Sequence, residues 1–524
     1  MRTKLFWACA VVLVILQFSF LYLNLSQSGS PFGEDQDAYL KAIDQAQQGK
    51  SYFDGQKNPL LPVVLSTVVP RGEASYTASR LWIMVLTVLM TCGQLLWAKK
   101  LWGHGAALMW AYLLAFNATA LELGSMVMVE PWLLHIVGFF LLAWCQALVS
   151  KRSTDWYLVG ALLGLGLLAK GTIPVLLTAV ALALLLSRRF KVCAQVMVVS
   201  LVVYLPFLIY RQMVFGNPFH QVSQGISWLG FYHPHNLQGS SLSEFVADQG
   251  VGALFKRLCE GMRVLPQLAF SALGPISSSW KFSALVLAVV FSASFWRWSK
   301  NIDSPVSAFI NLPKESKWLA CVWGGLWFIF CAWMVPVAYV TRYFIPLLPL
   351  LASAVVLAWR RPKLNAALPM VVLLLTVFFL PWPEVSQQRL LNPDLSWRQD
   401  SRFKSYQKIR HIIEKDAGEK PVKIFYGPGR TLPETWLWNY ERVTLLYGQQ
   451  GDRQEILDTL KKSDYLVLDE DTMKHNGEPF LYFSQKLTQQ YKDERVKLKE
   501  VVLKLLKKIV DENNENIYVF KVVV

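Results

Sequence analysis

Long apolar runs separated by short polar connections set the pattern of the chain from Leu5 to about Trp382, after which it turns polar. A helix needs roughly 17–25 apolar residues to cross the ~30 Å hydrocarbon core of a bilayer, and about eleven runs approach or meet that length. They predict spans at Leu5–Asn24, Leu81–Ala98, Ala106–Leu121, Pro131–Val149, Tyr157–Leu168, Ile173–Ser187, Val192–Tyr210, Phe282–Phe295, Trp318–Val335, Phe344–Trp359 and Leu368–Trp382. Beyond Pro383 the apolar segments are short and β-like, at Val422–Tyr426, Val443–Tyr447, Tyr465–Leu468 and Ile517–Val524, with Lys-rich helical segments between them. Residues 1–382 thus predict a polytopic α-helical membrane domain and residues 383–524 a small α/β domain. The basic stretch Lys492–Lys508, interrupted by Asp493, Glu494 and Glu500, predicts a solvated helix face.

Composition agrees with a membrane protein. The 524 residues are 54% hydrophobic and only 17% charged, with a mean hydropathy of +0.32, which excludes a soluble globular chain. Cytoplasmic loops collect Lys and Arg. With Arg2 and Lys4 inside, alternation of the spans puts Lys99-Lys100, Lys151-Arg152, Arg188-Arg189-Lys191, the Arg297–Lys317 loop and Arg360-Arg361-Lys363 on the cytoplasmic side. The expected location is the cytoplasmic (inner) membrane, N-terminus inside, with the C-terminal domain extracytoplasmic. Leu5–Asn24 has no convincing cleavage site and predicts a retained anchor. The net charge of +16 reports topology and a lipid-facing surface; no nucleic-acid motif accompanies it. Of seven Cys only Cys259 falls clearly in an outer loop, so no outer disulfide framework is expected within one chain.

Two outer loops hold the candidate chemistry. In the first, residues 25–78, the cluster Glu34-Asp35-Gln36-Asp37 precedes a helix predicted from Ala38 to Gln48, with Tyr39, Ala42, Ile43 and Ala46 on its apolar face and Gly49 at its end. The Pro59–Leu65 stretch is too short to span. An extended backbone would put Asp35 and Asp37 on one face, whereas a helix would put Asp35 beside Tyr39 and turn Asp37 away. Asp35 suits a helix cap, and it also suits a general base that takes a proton from an incoming hydroxyl. An Asp-x-Asp pair is able to hold a divalent ion through oxygen ligands, so a metal on Asp35 and Asp37 stays open, and no cofactor is assigned with certainty. The second loop, residues 211–281, holds the Gly216-Asn217-Pro218 turn, His220, His233 and His235, in a spacing that matches no zinc pattern.

Glu130, beside Pro131 at the outer start of a span, is the second acid. Lys170, Arg211 and Arg342-Tyr343 lie in the same outer layer, against the charge bias of outer loops. Each reads either as a solvated loop charge or as a ligand for an anionic group such as a lipid phosphate.

Several motifs occur in order: the acidic first loop with its following Tyr39, Met128-Val129-Glu130-Pro131-Trp132-Leu133, Gly164-Leu165-Gly166-Leu167-Leu168-Ala169-Lys170-Gly171, Gly216-Asn217-Pro218, and Arg342-Tyr343-Phe344-Ile345-Pro346-Leu347-Leu348-Pro349. Together they resemble the GT-C superfamily of polytopic glycosyltransferases, near the protein O-mannosyltransferases and the lipid A aminoarabinose transferases. The resemblance, over roughly Met1 to Trp382, implies transfer of a sugar from a polyprenyl-phosphate donor to a glycan, lipid or protein acceptor on the outer face of the membrane. It implies Asp35 as the base, with Asp37 as the alternative because Gln36 stands where the family commonly has Glu. It further implies Glu130 positioning acceptor or metal, Lys170, Arg342 and Arg211 on the donor phosphate, and Tyr39, Tyr343 and His220 against substrate. Inversion at the anomeric carbon follows from such a mechanism. A transporter or flippase of a lipid-linked glycan is the competing reading; it predicts charges buried in mid-span, and the predicted spans hold few.

Overall fold

A computed structural model describes residues 2–27, 35–49, 57–219, 242–273, 312–335, 341–358, 385–398, 400–426, 443–447, 453–469, 495–498, 501–510 and 516–523. The chain divides into two compact units. One comprises Met1–Leu25, Gln45–Val68 and Ala78–Glu384, and the other Ser26–Asp44, Val69–Thr77 and Val385–Val524.

The helices run α1 (Arg2–Gln27), α2 (Gln36–Gln47), α3 (Leu60–Ser66), α4 (Ala74–Trp102), α5 (His104–Ala115), α6 (Ala118–Leu123), α7 (Glu130–Ser150), α8 (Ser153–Ala169), α9 (Ile173–Leu186), α10 (Phe190–Phe215), α11 (Leu242–Gln249), α12 (Val251–Leu273) and α13 (Lys314–Met334). A 3₁₀ turn at Thr341–Leu347 leads into α14 (Leu348–Ala358). Among the described residues five helices, α1, α4, α7, α10 and α13, are long and apolar enough to cross a membrane. Shorter apolar helices lie at His104–Ala115, Ser153–Ala169, Ile173–Leu186 and Arg342–Ala354. The expected spans Phe282–Phe295 and Leu368–Trp382 lie outside the described residues.

Three local expectations are corrected. The run Ala106–Leu121 is broken, because Asn117 caps α6 by accepting from the Ala120 N–H at 3.0 Å and donates from Nδ2 to the Ala272 carbonyl at 2.8 Å. Helix α10 continues past Tyr210 to Phe215 and stops at Gly216 in the left-handed conformation, φ 67°. The segment expected as one long loop from residue 211 carries two helices, α11 and α12. Their signal is a helical stripe: Arg257, Gly261, Leu265, Leu268 and Ala272 are the buried positions of α12. Arg257 donates from Nε to the Trp333 carbonyl at 3.1 Å and stacks over its ring, and a Cβ at Gly261 would lie 1.7 Å from the Ala332 carbonyl oxygen.

Small residues bring α8 and α10 together, as helices in an apolar solvent require, since lipid leaves close packing as the main attraction. A Cβ at Gly160 would meet the Val196 carbonyl at 2.7 Å, and one at Gly164 would meet Val203 Cβ at 2.6 Å. Ser200 Oγ donates to the Gly160 carbonyl at 2.9 Å. Gly164→Leu is expected to cost about 1–3 kcal/mol through overpacking, seen as a lower midpoint of thermal unfolding in detergent; an unchanged midpoint would show that α8 can move away freely.

Topology is tied at both ends of this helical unit. Arg189 Nε pairs with Glu315 Oε1 at 2.8 Å, so the starts of α10 and α13 share one end. Glu130, Lys170 and Arg342 converge elsewhere, at the start of α7, the end of α8 and the turn before α14.

In the second unit, α15 (Gln387–Leu391), α16 (Leu395–Arg398) and α17 (Ser401–Ala417) precede β1 (Val422–Tyr426), β2 (Val443–Tyr447), α18 (Arg453–Lys461), β3 (Tyr465–Asp469), β4 (Arg495–Leu498), β5 (Val501–Val510) and β6 (Asn516–Val523). The sheet order is β2-β1-β3-β6-β5-β4, with β1 parallel to β2 and β3 and the other pairs antiparallel. Its core joins Phe425, Leu466, Leu468, Leu503 and Phe520 to Leu457 and Leu460 of α18. The Lys-rich stretch expected as a helix is therefore the β4–β5 hairpin. Val501 and Leu503 are both buried, a spacing of two that only a strand puts on one face. A register shift between Leu505 and Lys507 then leaves Lys504, Lys507 and Lys508 exposed.

Asp416 at the end of α17 accepts from Lys521 Nζ at 2.8 Å and from Tyr465 OH at 2.6 Å. The Lys521 hydrogen bond foremost, then that of Tyr465, holds its carboxyl below the usual carboxylate range. A depressed value contributes stability above the unfolded value of about 3.9, and that stability is lost as pH falls through the folded value. The partners are partly exposed, so the contribution is about 1 kcal/mol or less. Asp416→Asn should be less stable than wild type at neutral pH, with the gap closing as pH drops below about 4. Denaturant unfolding of the full chain in detergent checks this; a gap that widens in acid would contradict it.

Candidate active site

Glu130 is the first residue of α7 and Pro131 follows it, fixing the backbone angle that starts the helix. Lys170 follows the last residue of α8 in extended conformation, φ −152° and ψ 137°. That helix end is held by Asn58, whose Nδ2 donates to the Leu167 carbonyl at 2.6 Å, satisfying one of the carbonyls that a helix terminus leaves open. Arg342 sits in the 3₁₀ turn. Trp327 of α13 fixes this turn by donating from Nε1 to the Tyr343 carbonyl at 2.8 Å, and Phe330 meets the Tyr343 ring edge-on at 5.8 Å.

These three termini bring their charges together. Lys170 Nζ donates to Glu130 Oε1, and Arg342 Nε lies 3.9 Å from the same oxygen. The Glu130 side chain is 2% exposed, against 19% for Lys170 and 16% for Arg342. The ammonium of Lys170 also stands 6.0 Å from the Tyr343 ring centre. Lys170 and Arg342 thus approach one carboxylate oxygen in a nearly dry site, where electrostatic interactions are weakly screened. Glu130 Oε2 is buried and has no hydrogen-bond partner among the described residues.

Arg211, expected in a loop, is 4% exposed within α10; its Nη1 donates to Tyr204 OH at 3.1 Å and its guanidinium lies 5.0 Å from the Phe207 ring centre. Asp35 and Tyr39 belong to the second unit. The Asp35 carbonyl accepts the Tyr39 N–H at 3.2 Å, and α2 begins at Gln36. The backbone is thus helical, which puts Asp35 and Tyr39 on one side and turns Asp37, in the first turn, to another. Tyr39 is 5% exposed and packs with Leu40, Ala42 and Ile43 among the buried residues of α2. His220 lies outside the described residues. Among the described residues no three His, Cys, Asp or Glu side chains converge as a metal site, and Asp35 and Asp37 diverge around the helix start.

Sequence reasoning did not single out Asn58, at the end of a polar run, or Trp327, within an apolar one; neither has a local signature, and the role of each depends on which chain end it meets. It also missed the residues behind α2. Tyr76 at the start of α4 reaches Gln36 Oε1 with its hydroxyl at 3.5 Å and meets the Trp397 ring edge-on at 5.7 Å. Trp397 Nε1 donates to Thr77 Oγ1 at 3.2 Å, and Thr77 donates to Asp394. Glu73 pairs with Arg398 at 3.7 Å and Arg410 at 3.4 Å.

A helical unit with five helices long and apolar enough to cross a membrane among the described residues is followed by a small C-terminal sheet. Residues 59–210 match the family model for dolichyl-phosphate-mannose-protein mannosyltransferase; that segment contains Glu130 and Lys170. Among solved structures, ArnT from Cupriavidus metallidurans bound to undecaprenyl phosphate superposes with a TM-score of 0.54 at 14% identity, over 99% of this chain and 97% of that one. The same protein in the apo state gives 0.51, also at 14% identity and with the same coverage. At this identity the likeness is one of fold. No curated protein sequence matches the chain.

Proposed function

We propose that this protein is a membrane glycosyltransferase that moves a sugar from a polyprenyl-phosphate donor to an acceptor hydroxyl on the outer face of the cytoplasmic membrane, with inversion. The observation that carries this reading is the convergence of Lys170 and Arg342 on buried Glu130, a cationic pair preset for a phosphate. Likeness in fold to a protein solved with undecaprenyl phosphate supports the same ligand class.

In this reading the phosphate is the leaving group. Cations fixed before reaction stabilise the charge that grows on it as the bond to the sugar breaks, at no reorganisation cost. Glu130 is a positioning residue that holds Lys170 and Arg342 in place. Asp35 takes the acceptor's proton, and attack opposite the departing phosphate inverts the anomeric carbon. Transfer of labelled sugar from polyprenyl-phosphate donors to membrane acceptors, with the product anomer read by NMR, tests the proposal. A product of retained configuration would overturn the single displacement, and absence of transfer from every donor would favour the flippase reading.

A further inference from the structure

Helix α12 carries more apolar surface than its own packing covers. At about 100° per residue, its buried positions Arg257, Gly261, Leu265, Leu268 and Ala272 occupy one side. The side next to it is apolar as well, and exposed: Val251, Phe255, Cys259 and Met262, with Phe255 65% exposed. Lys256, Glu260 and Arg263 fill the side after that. Two apolar sides and one polar side suit a boundary between hydrocarbon and water.

Its partners in the helical unit place it at such a boundary. Gly261 meets Ala332 and Arg257 meets Trp333. Both partners lie in the last turn of α13, whose 21 residues at about 1.5 Å each match the ~30 Å hydrocarbon core. About 20 Å further along α12, the Ala272 carbonyl accepts from Asn117, in the turn between α5 and α6. The 3₁₀ turn that carries Arg342 packs against α12 too. Thus α12 runs across the ends of other helices and not along their flanks, as a helix in the plane of a membrane surface does.

We infer that α12 is an interfacial helix whose partner is the lipid of the surrounding leaflet. Val251, Phe255, Cys259 and Met262 enter the acyl boundary, while Lys256 and Arg263 lay their stems along it and keep their charges among the headgroups. Lipid thereby backs, from outside the protein, the helix that packs on the Arg342 turn.

The test uses the full chain in phosphatidylcholine nanodiscs. In Cys321→Ser, which removes the other exposed thiol, a bimane probe on Cys259 should be quenched several-fold more by lipids brominated on their acyl chains than by aqueous iodide. In the triple variant Arg263→Cys, Cys259→Ser, Cys321→Ser the probe sits on the polar side, and the order should reverse. A wild-type measurement needs no substitution: a charged maleimide, read by mass spectrometry, should label Cys259 several-fold more slowly than it labels a free peptide of the same sequence. A Cys259 probe quenched mainly by iodide, or Cys259 labelled as fast as the peptide, overturns the inference. So does equal lipid quenching at both positions, which would sink α12 into the hydrocarbon, and quenching by neither reagent, which would put protein over this face.

Discussion

Asp35→Asn is expected to lower sugar transfer by about 10²–10⁴-fold, the usual worth of a positioned general base, with membrane insertion and unfolding temperature unchanged. The choice of Asn matters. Asp35 stands where a helix cap stands, its carbonyl accepting from Tyr39 as α2 begins, and Asn caps a helix about as well as Asp. The substitution therefore keeps the cap and removes the proposed base. Asp37→Asn, one position into the first turn and on another side of the helix, should leave transfer within a few fold. The measurement is initial-rate transfer of labelled sugar by both variants in the same membranes. A large loss at Asp37 with activity kept at Asp35 would exchange their roles, and activity kept in both would remove the acidic cluster from the mechanism.

Lys170→Ala should destabilise the helical unit, by less than the ~3–5 kcal/mol of a buried charge left wholly uncompensated, because Glu130 loses its nearer cation and keeps the farther one. Glu130 is 2% exposed, with Arg342 still 3.9 Å away. The loss should appear as a lower unfolding midpoint in detergent. The double variant Glu130→Gln with Lys170→Met removes both charges and should regain most of that stability, yet stay inactive because half of the cationic pair is gone. If the double variant regains stability and also transfers sugar, Lys170 holds the fold and not the phosphate. If Lys170→Ala unfolds like wild type, water reaches Glu130 and the site is wetter than its burial implies.

Much of the fold was legible in the chain because its signals are local. Apolar runs mark α1, α4, α7, α10 and α13 without any knowledge of what they touch, and short β-like runs mark β1 and β2 at the expected residues. Misreadings occurred where a local pattern had two solutions. Seven basic residues in Lys492–Lys508, with apolar residues among them, suited a solvated helix, and only burial of Val501 with Leu503 against β6 selects the strand. In α12 the helical stripe was hidden by Gly261 and Pro266, residues that usually mark loops; Gly261 serves close approach to Ala332.

The candidate site divides the same way. Its residue types and their order along the chain, Asp35, Glu130, Lys170 and Arg342, were readable, because charges at the ends of apolar runs stand out against a sequence poor in charge. Their roles were not, since a carboxylate beside Pro131 looks alike whether it meets water or two cations. The sequence by itself determined a chain of apolar helices with a small sheet behind it, since hydrophobic periodicity needs no partner to be expressed. Tertiary structure alone decided that Glu130 is clamped between Lys170 and Arg342, that Arg211 turns to Tyr204, and that residues 26–44 and 69–77 pack in one unit with residues 385–524. Those choices depend on which distant segments pack together, a contest between whole surfaces that no short stretch of sequence encodes.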